Sequence, residues 1–132
     1  MVIGSAAVDV VSQANAISDA DGSHSRQSTS PGTVGLHLGG VGRNIAEAAY
    51  RVSTSRFQAQ PSATVLVSSV GDDALGRLLL EEMQKIGVRT DGVMTAHQRS
   101  SAVCNMVLDS SGNLIGGVAD MDIIKSIQSE TV

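Results

Sequence analysis

Apolar residues recur along this chain in two rhythms, and each rhythm predicts its own kind of element. Residues 2–11, "VIGSAAVDVV", are apolar almost without interruption over the length of a strand, the pattern of a parallel strand covered on both faces. "ATVLVSSVG", residues 63–71, repeats that pattern with β-branched residues. Between the two, Ile45, Ala48, Ala49 and Val52 recur at three- and four-residue spacing from Arg43 onward. This spacing predicts a helix that buries one stripe and ends near Ser53. "DDALGRLLLEEMQKIGV", residues 72–88, opens on acids suited to a helix N-terminus and stops at Gly87. It carries Leu75, Leu78, Leu79, Met83 and Ile86 on one face.

Polar stretches supply the connections. Residues 12–32, "SQANAISDADGSHSRQSTSPG", have no periodicity and read as a long exposed loop, mobile in its middle. "TVGLHLGG" (33–40) reads as a short strand broken by Gly35, and "STSRFQAQPS" (53–62) as a connection containing Pro61. "TDGVMTA" (90–96) and "SAVCNMVLD" (101–109) read as strands. The second of these turns through "SSGN" (110–113) into "LIGGVA" as a hairpin, and a last short helix begins near Asp122. Helical crossovers between apolar strands predict an α/β architecture, a parallel sheet with some antiparallel addition. "IIKSIQSETV" offers neither a closing strand nor a capping glycine. Residues 1–132 are therefore expected to be a single partial domain, cut through a larger one.

Composition narrows the function classes. Trp is absent, and the only Phe and Tyr are Phe57 and Tyr50. The core must be built from Val, Ile, Leu, Ala and Met, and no aromatic platform is available to stack single-stranded bases. Thirteen acidic residues against nine basic ones give a net charge of -4, which excludes nucleic acid and anionic membrane as expected partners. The single Cys104 has no partner for a disulfide or a C-x-x-C zinc site, and it reads as a packing residue in a reducing compartment. The apolar start has no positive leader and contains Asp9, so it reads as a strand and not as a signal or membrane segment, and a cytoplasmic location is expected.

The candidate chemistry centres on "HLGGVGRNIAEAAYRV", residues 37–52. Gly39, Gly40 and Gly42 let the backbone turn tightly and bring its N–H groups close to a ligand at the positive end of a helix. The ligand could be a dinucleotide pyrophosphate, or a small polyol held partly by side chains such as Asn44. The dinucleotide fingerprint asks for a small residue where Ile45 stands, and for an acid ending a strand about 20 residues later; the chain has neither. A glycine turn that merely links strand to helix is the third reading.

Residues 39–53, "GGVGRNIAEAAYRVS", resemble the first signature of the PfkB-type carbohydrate kinases, the ribokinase-like family. "VGDDALGRLLLEEMQKIGV" is similar to that family's next block, and "IGSAAVDVV" to its first strand, which ends in a substrate-holding Asp. The three collinear blocks cover most of the chain. The "GGVGRN" spelling and the later "LDSSGNLIGGVADMDI" are most similar to pseudouridine kinases. Ribokinases typically have Lys at Val41 and Asn at Ala7, so the chain departs from a plain ribokinase at two sugar-contacting positions.

This resemblance implies a ribokinase-like (Rossmann-like) parallel sheet with helical crossovers plus a small β lid. It implies that Asp9 accepts hydrogen bonds from ribose hydroxyls, that Gly39, Gly40 and Gly42 let the backbone approach the sugar, and that Asn44 contacts a hydroxyl. The "TVGLHL" strand and the "SAVCNMVLD" hairpin would form the lid, with His37 and Asn105 facing the ligand. His24, His37 and His97 have no metal-like spacing, and Arg43 and Arg51 are expected to solvate the helix. The implied activity is ATP-dependent phosphorylation of a ribose-containing substrate, pseudouridine at its 5'-hydroxyl, with Mg beside the nucleotide. A homodimer through the lid and a fused glycosidase domain stay open, as do adenosine, ribose and other sugars as substrates.

The family's catalytic Gly-Ala-Gly-Asp segment, whose helix N-terminus stabilises the transferring phosphate and whose Asp is the base, is absent from the sequence. The chain alone is therefore expected to be inactive, with no catalytic residue, metal ligand or ATP contact of its own. The alternative is a non-catalytic sugar-binding or interaction remnant.

Overall fold

The computed structural model describes residues 1–15, 29, 31–56 and 64–127. The first apolar run makes two strands, β1 (Val2–Ile3) and β2 (Ala7–Ala14), which enter different sheets. This corrects the expectation of one strand over 2–11. The small residues Gly4, Ser5 and Ala6 let the chain bend between sheets, and a count of apolar positions does not register such a bend.

β1 pairs in parallel with β4 (Leu66–Gly71), which pairs in parallel with β5 (Val93–Ala96). β2 lies between β3 (Gly32–Gly39), antiparallel to it, and β6 (Ala102–Leu108), parallel to it. β7 (Leu114–Asp120) closes the hairpin with β6, and the register shifts by one residue beside Leu108, as a β-bulge does. Residues 12–14 thus belong to β2 and not to the predicted loop, whose middle lies outside the described residues. Gly35 does not break β3. A Cβ there would stand 2.9 Å from the His37 Nε2, so the glycine makes room for the imidazole of its own strand.

Helix α1 (Val41–Arg56) forms, but it runs three residues past the expected end at Ser53, taking 53–56 from the predicted connection, and it is rotated about its axis. Ala46 is fully buried and Gly42 and Arg43 are buried, whereas Ile45 is 51% and Val52 58% exposed. Contact distance explains the rotation. A Cβ on Gly42 would come within 2.6 Å of the Gly4 carbonyl carbon, so the helix presents its smallest residue, not its largest, to the chain beneath it. The expected buried stripe of Ile45, Ala48, Ala49 and Val52 fails for that reason.

Helix α2 (Ala74–Ile86) matches its periodicity. Leu79 and Met83 are fully buried against Leu66, Val70, Val8 and Ala46, each such side chain contributing about 1.5–3 kcal/mol of transfer free energy. Gly87 ends the helix in the left-handed region at φ 95, and its N–H bonds the Met83 and Gln84 carbonyls. All six residues of β4 are buried. A short 3-10 helix, Asp122–Ser126, packs Ile123 against Ala7 and Ala102. No helix among the described residues is long and apolar enough to cross a membrane.

Asp73 joins three elements at the end of β4. Its Oδ1 accepts from the Gly76 amide at 2.7 Å, capping α2, and from the Ser101 hydroxyl at 2.7 Å, while its Oδ2 accepts from the Ser101 amide at 2.8 Å. The same hydroxyl accepts from the Gly71 amide. Burial pushes the Asp73 carboxyl up, but the Ser101 and Gly76 bonds outweigh it and hold the pKa below its ordinary value. Loss of this cap, as in Asp73→Ala, should cost about 1–2 kcal/mol in denaturant unfolding. A lowered carboxyl pKa stabilises the fold above the ordinary value of 3.8, and that stability is lost as the pH falls through the lowered one. Asp73→Asn should therefore flatten the acid limb of the stability–pH curve; an unchanged limb would contradict the assignment.

Candidate functional site

The mouth of α1 is built from a turn and a bend. β3 ends at Gly39, Gly40 takes φ 93 in the left-handed region, and α1 begins at Val41. A Cβ on Gly40 would stand 2.5 Å from the Ser5 carbonyl oxygen. Ser5 occupies the helix mouth from the other side. Its hydroxyl accepts from the Val41 amide at 3.1 Å and its carbonyl from the Arg43 amide at 3.0 Å. Two of the first helical donors are thus satisfied within the chain, which leaves little of the open anion cradle a pyrophosphate would need. The glycines serve mainly to bring this turn against residues 4–6. Ser5 was not singled out from the sequence; the small residues between a strand and the Asp9 run were its only signal.

Asp9 projects from the middle of β2 on the face it shares with its neighbours His37 on β3 and Cys104 on β6. Its carboxylate lies against Gly39, where a Cβ would stand 2.2 Å from Oδ2. Among the described residues this partly buried carboxylate accepts no hydrogen bond and meets no cation. It is a free acceptor beside the turn that leads into α1. Ala7 and Ala102, beside it on the same face, are small and buried.

The other expected site residues divide. His37 shares the face of Asp9, but it is exposed and its ring lies back over Gly35. Asn105 pairs with Val10, one residue on from the Asp9–Cys104 pair, so strand alternation turns it to the opposite face. The expectation that His37 and Asn105 both face one ligand is corrected by that register. Cys104, read as packing, is the residue the sheet places directly beside Asp9. An apolar groove of about 290 Å³, lined by Val8, Leu36, His37, Leu38, Leu78 and Glu82, lies between the sheet and α2. Val8, Leu36 and Leu38 belong to the face turned away from Asp9.

Asn44 is exposed on the first turn of α1, and its Oδ1 accepts from the Arg43 Nη1 at 3.0 Å. Arg43 is only 8% exposed and does not solvate the helix, correcting the expectation for it. Its Nη1 also donates to the Leu38 carbonyl at 3.3 Å, and its Nη2 pairs with Glu47. Arg51 is the solvating residue, exposed and paired with Glu47 at 2.6 Å. His97 is exposed and meets Asp72 at 2.6 Å, while His24 lies outside the described residues. Among the described residues no three His, Cys, Asp or Glu side chains are grouped to hold a metal ion.

Residues 1–120 match the family described as pfkB family carbohydrate kinase. The chain is 28% identical over 131 residues to the pseudouridine kinase of Escherichia coli (strain K12), covering 98% of this chain and 37% of that protein. Its structure is similar to that of a candidate sugar kinase from Clostridium perfringens, with a TM-score of 0.77 and 29% identity over 98% of this chain and 36% of the other. It is also similar to Arabidopsis thaliana ribokinase complexed with ribose and ATP, with a TM-score of 0.69 and 21% identity over 89% of this chain and 34% of that one. The two sheets are thus those of the ribokinase-like fold, and the chain spans about a third of the length of these relatives.

The contact of Asp9 with Gly39 is open to test without a ligand. Gly39→Ala should destabilise the fold by about 1–3 kcal/mol, because the new methyl group overlaps the carboxylate. Adding Asp9→Ala to that variant should recover most of the loss in denaturant unfolding. Additive losses would mean that the two residues do not touch.

Proposed function

Because this chain belongs to the pfkB family of carbohydrate kinases, we propose that it forms the substrate-holding part of an ATP-dependent kinase for a ribose-containing nucleoside, pseudouridine, phosphorylated at the 5'-hydroxyl. The observation that carries the reading is the Asp9 carboxylate, unpaired among the described residues and held against Gly39 at the entrance to α1. A carboxylate accepts from both hydroxyls of a vicinal diol at once, and charge-assisted bonds of this kind are the stronger ones. Asn44 contacts a hydroxyl from the helix, and Gly39 and Gly40 keep the turn low enough for the sugar to approach. The choice of pseudouridine rests on likeness to the E. coli kinase of that name and on the motif spelling.

Phosphoryl transfer needs a base and a cluster of donors for the moving phosphate, with ATP supplying the phosphoryl group and Mg²⁺ neutralising its charge. The described residues do not fit that second task. Ser5 fills the mouth of α1, and the Asp73 carboxylate sits at the mouth of α2, where it would repel a phosphate. We assign the base, the phosphate-stabilising helix and the nucleotide pocket to the length of the relatives that this chain does not span. The role of β2, β3, β6 and β7 is that of a lid, excluding water from the sugar. Val34, Leu36 and Val118, exposed on its outer strands, favour pairing of two copies through the lid. A cytoplasmic location follows from a nucleoside substrate and ATP.

Asp9→Asn in the protein that carries these residues should weaken nucleoside binding by roughly ten- to a hundredfold, the loss of one charge-assisted hydrogen bond. Isothermal titration with pseudouridine, ribose and adenosine measures this and ranks the substrates; equal affinities for Asp9 and Asn would remove the site. The 132 residues alone should release no ADP from ATP in the presence of pseudouridine, and steady nucleoside-dependent release would overturn the division of labour.

A further inference from the structure

The buried guanidinium of Arg43 is not explained by fold or charge alone. It is 8% exposed, and its Nε is buried without a hydrogen-bond partner among the described residues. A cation taken out of water and left incompletely satisfied costs stability, so an apolar residue of similar volume would serve packing better. What Arg43 does make is specific. One nitrogen, Nη1, bonds both the Leu38 carbonyl and the Asn44 Oδ1, while Nη2 is held by Glu47, which Arg51 grips from the next turn.

Arginine has only donors, so the Asn44 atom it touches must be the oxygen. The amide is thereby fixed in one of its two orientations, with Nδ2 and both its N–H groups turned away from Arg43. Leu38 stands next to Gly39, on which the Asp9 carboxylate lies. The acceptor and the donor are thus fastened to adjacent residues at the end of β3, Asp9 through Gly39 and Asn44 through Arg43 and Leu38.

We infer that Arg43 is a positioning residue for substrate recognition, locking the Asn44 amide so that Nδ2 donates to a hydroxyl oxygen of the sugar while Asp9 accepts hydroxyl protons. Recognition then reads both polarities of a diol. A diol offers donors and acceptors together, and a site of fixed acceptor and fixed donor selects it over a carboxylate, which can only accept. The inference rests on the ribose-site reading above and adds Arg43 to it.

The test is a double-mutant cycle on the dissociation constant for pseudouridine, measured by titration calorimetry on the intact protein expressed from its own gene. Asn44→Ala should weaken binding roughly tenfold, and Arg43→Met by a similar factor. The double variant should be no weaker than either single one, since both break the same contact. Arg43→Lys, which keeps a donor for Oδ1 but cannot bridge all three partners, should bind at an intermediate level. It also carries the cycle if Arg43→Met does not fold. Independent losses that multiply in the double variant would overturn the inference and leave the ribose site standing, as would Arg43 variants that lower the melting temperature with no change in affinity. If neither Asp9→Asn nor Asn44→Ala alters pseudouridine binding, the ribose site itself falls and takes the inference with it.

Discussion

The contact of Gly42 with Gly4 governs the geometry of everything around it. Two backbones meet there at a distance no side chain would allow, since a Cβ on either glycine would come within about 3 Å of the other residue's backbone. That approach sets α1 across the bend between β1 and β2, brings Ser5 into the helix mouth, and turns Ala46 inward and Ile45 outward. It also sets where the chain leaves the first sheet after β1, and hence where Asp9 emerges on the second. A single methyl group at this crossing would displace the helix, the bend and the carboxylate together, because interiors packed at crystal-like density transmit such shifts.

The two layers of structure were unequally legible in the sequence. Elements whose identity depends on their own periodicity were read well. α2 shows its face in the spacing of Leu79 and Met83, and the β6–β7 hairpin shows itself in alternating residues around a Gly-containing turn. Elements whose identity depends on a partner were misread. The rotation of α1 is set by Gly4, some forty residues away in sequence, and the split of the first strand is set by two sheets that neither half of the run encodes alone. Hydrophobic spacing assumes that the largest side chains choose the buried face, and here closest approach chose it.

The same distinction divides the site. Asp9, the glycines and Asn44 are candidates because a motif carries them. The opposed faces of His37 and Asn105 were not, because a strand's register is a pairing fact and one residue of slip reverses a side chain. Asp73 shows how a polar residue can be read correctly in kind and too narrowly in role. Its acidic character at a helix N-terminus was evident, yet its second set of bonds, to Ser101 on the approach to β6, comes from residues far along the chain. That second set ties the end of the three-stranded sheet to the start of a strand of the other sheet, so the cap of α2 also fixes how the two sheets meet.

Backbone satisfaction finally decides between the chemistries that a glycine-rich turn permits. The helix mouth that follows such a turn binds anions only while its N–H groups are unclaimed. In this chain Ser5 claims two of them at α1, and Asp73 places a negative charge at α2. Neither mouth remains suited to phosphate, yet each polar group so engaged makes its neighbourhood rigid. Among the described residues, what stays unengaged is the Asp9 carboxylate, an acceptor, and the Asn44 Nδ2, a donor. A neutral polyol can answer both, whereas an anion can answer only the donor and is repelled by the acceptor. The glycine turn therefore spends two of the first donors of α1 on Ser5 within the fold and leaves the recognition of a ligand to side chains.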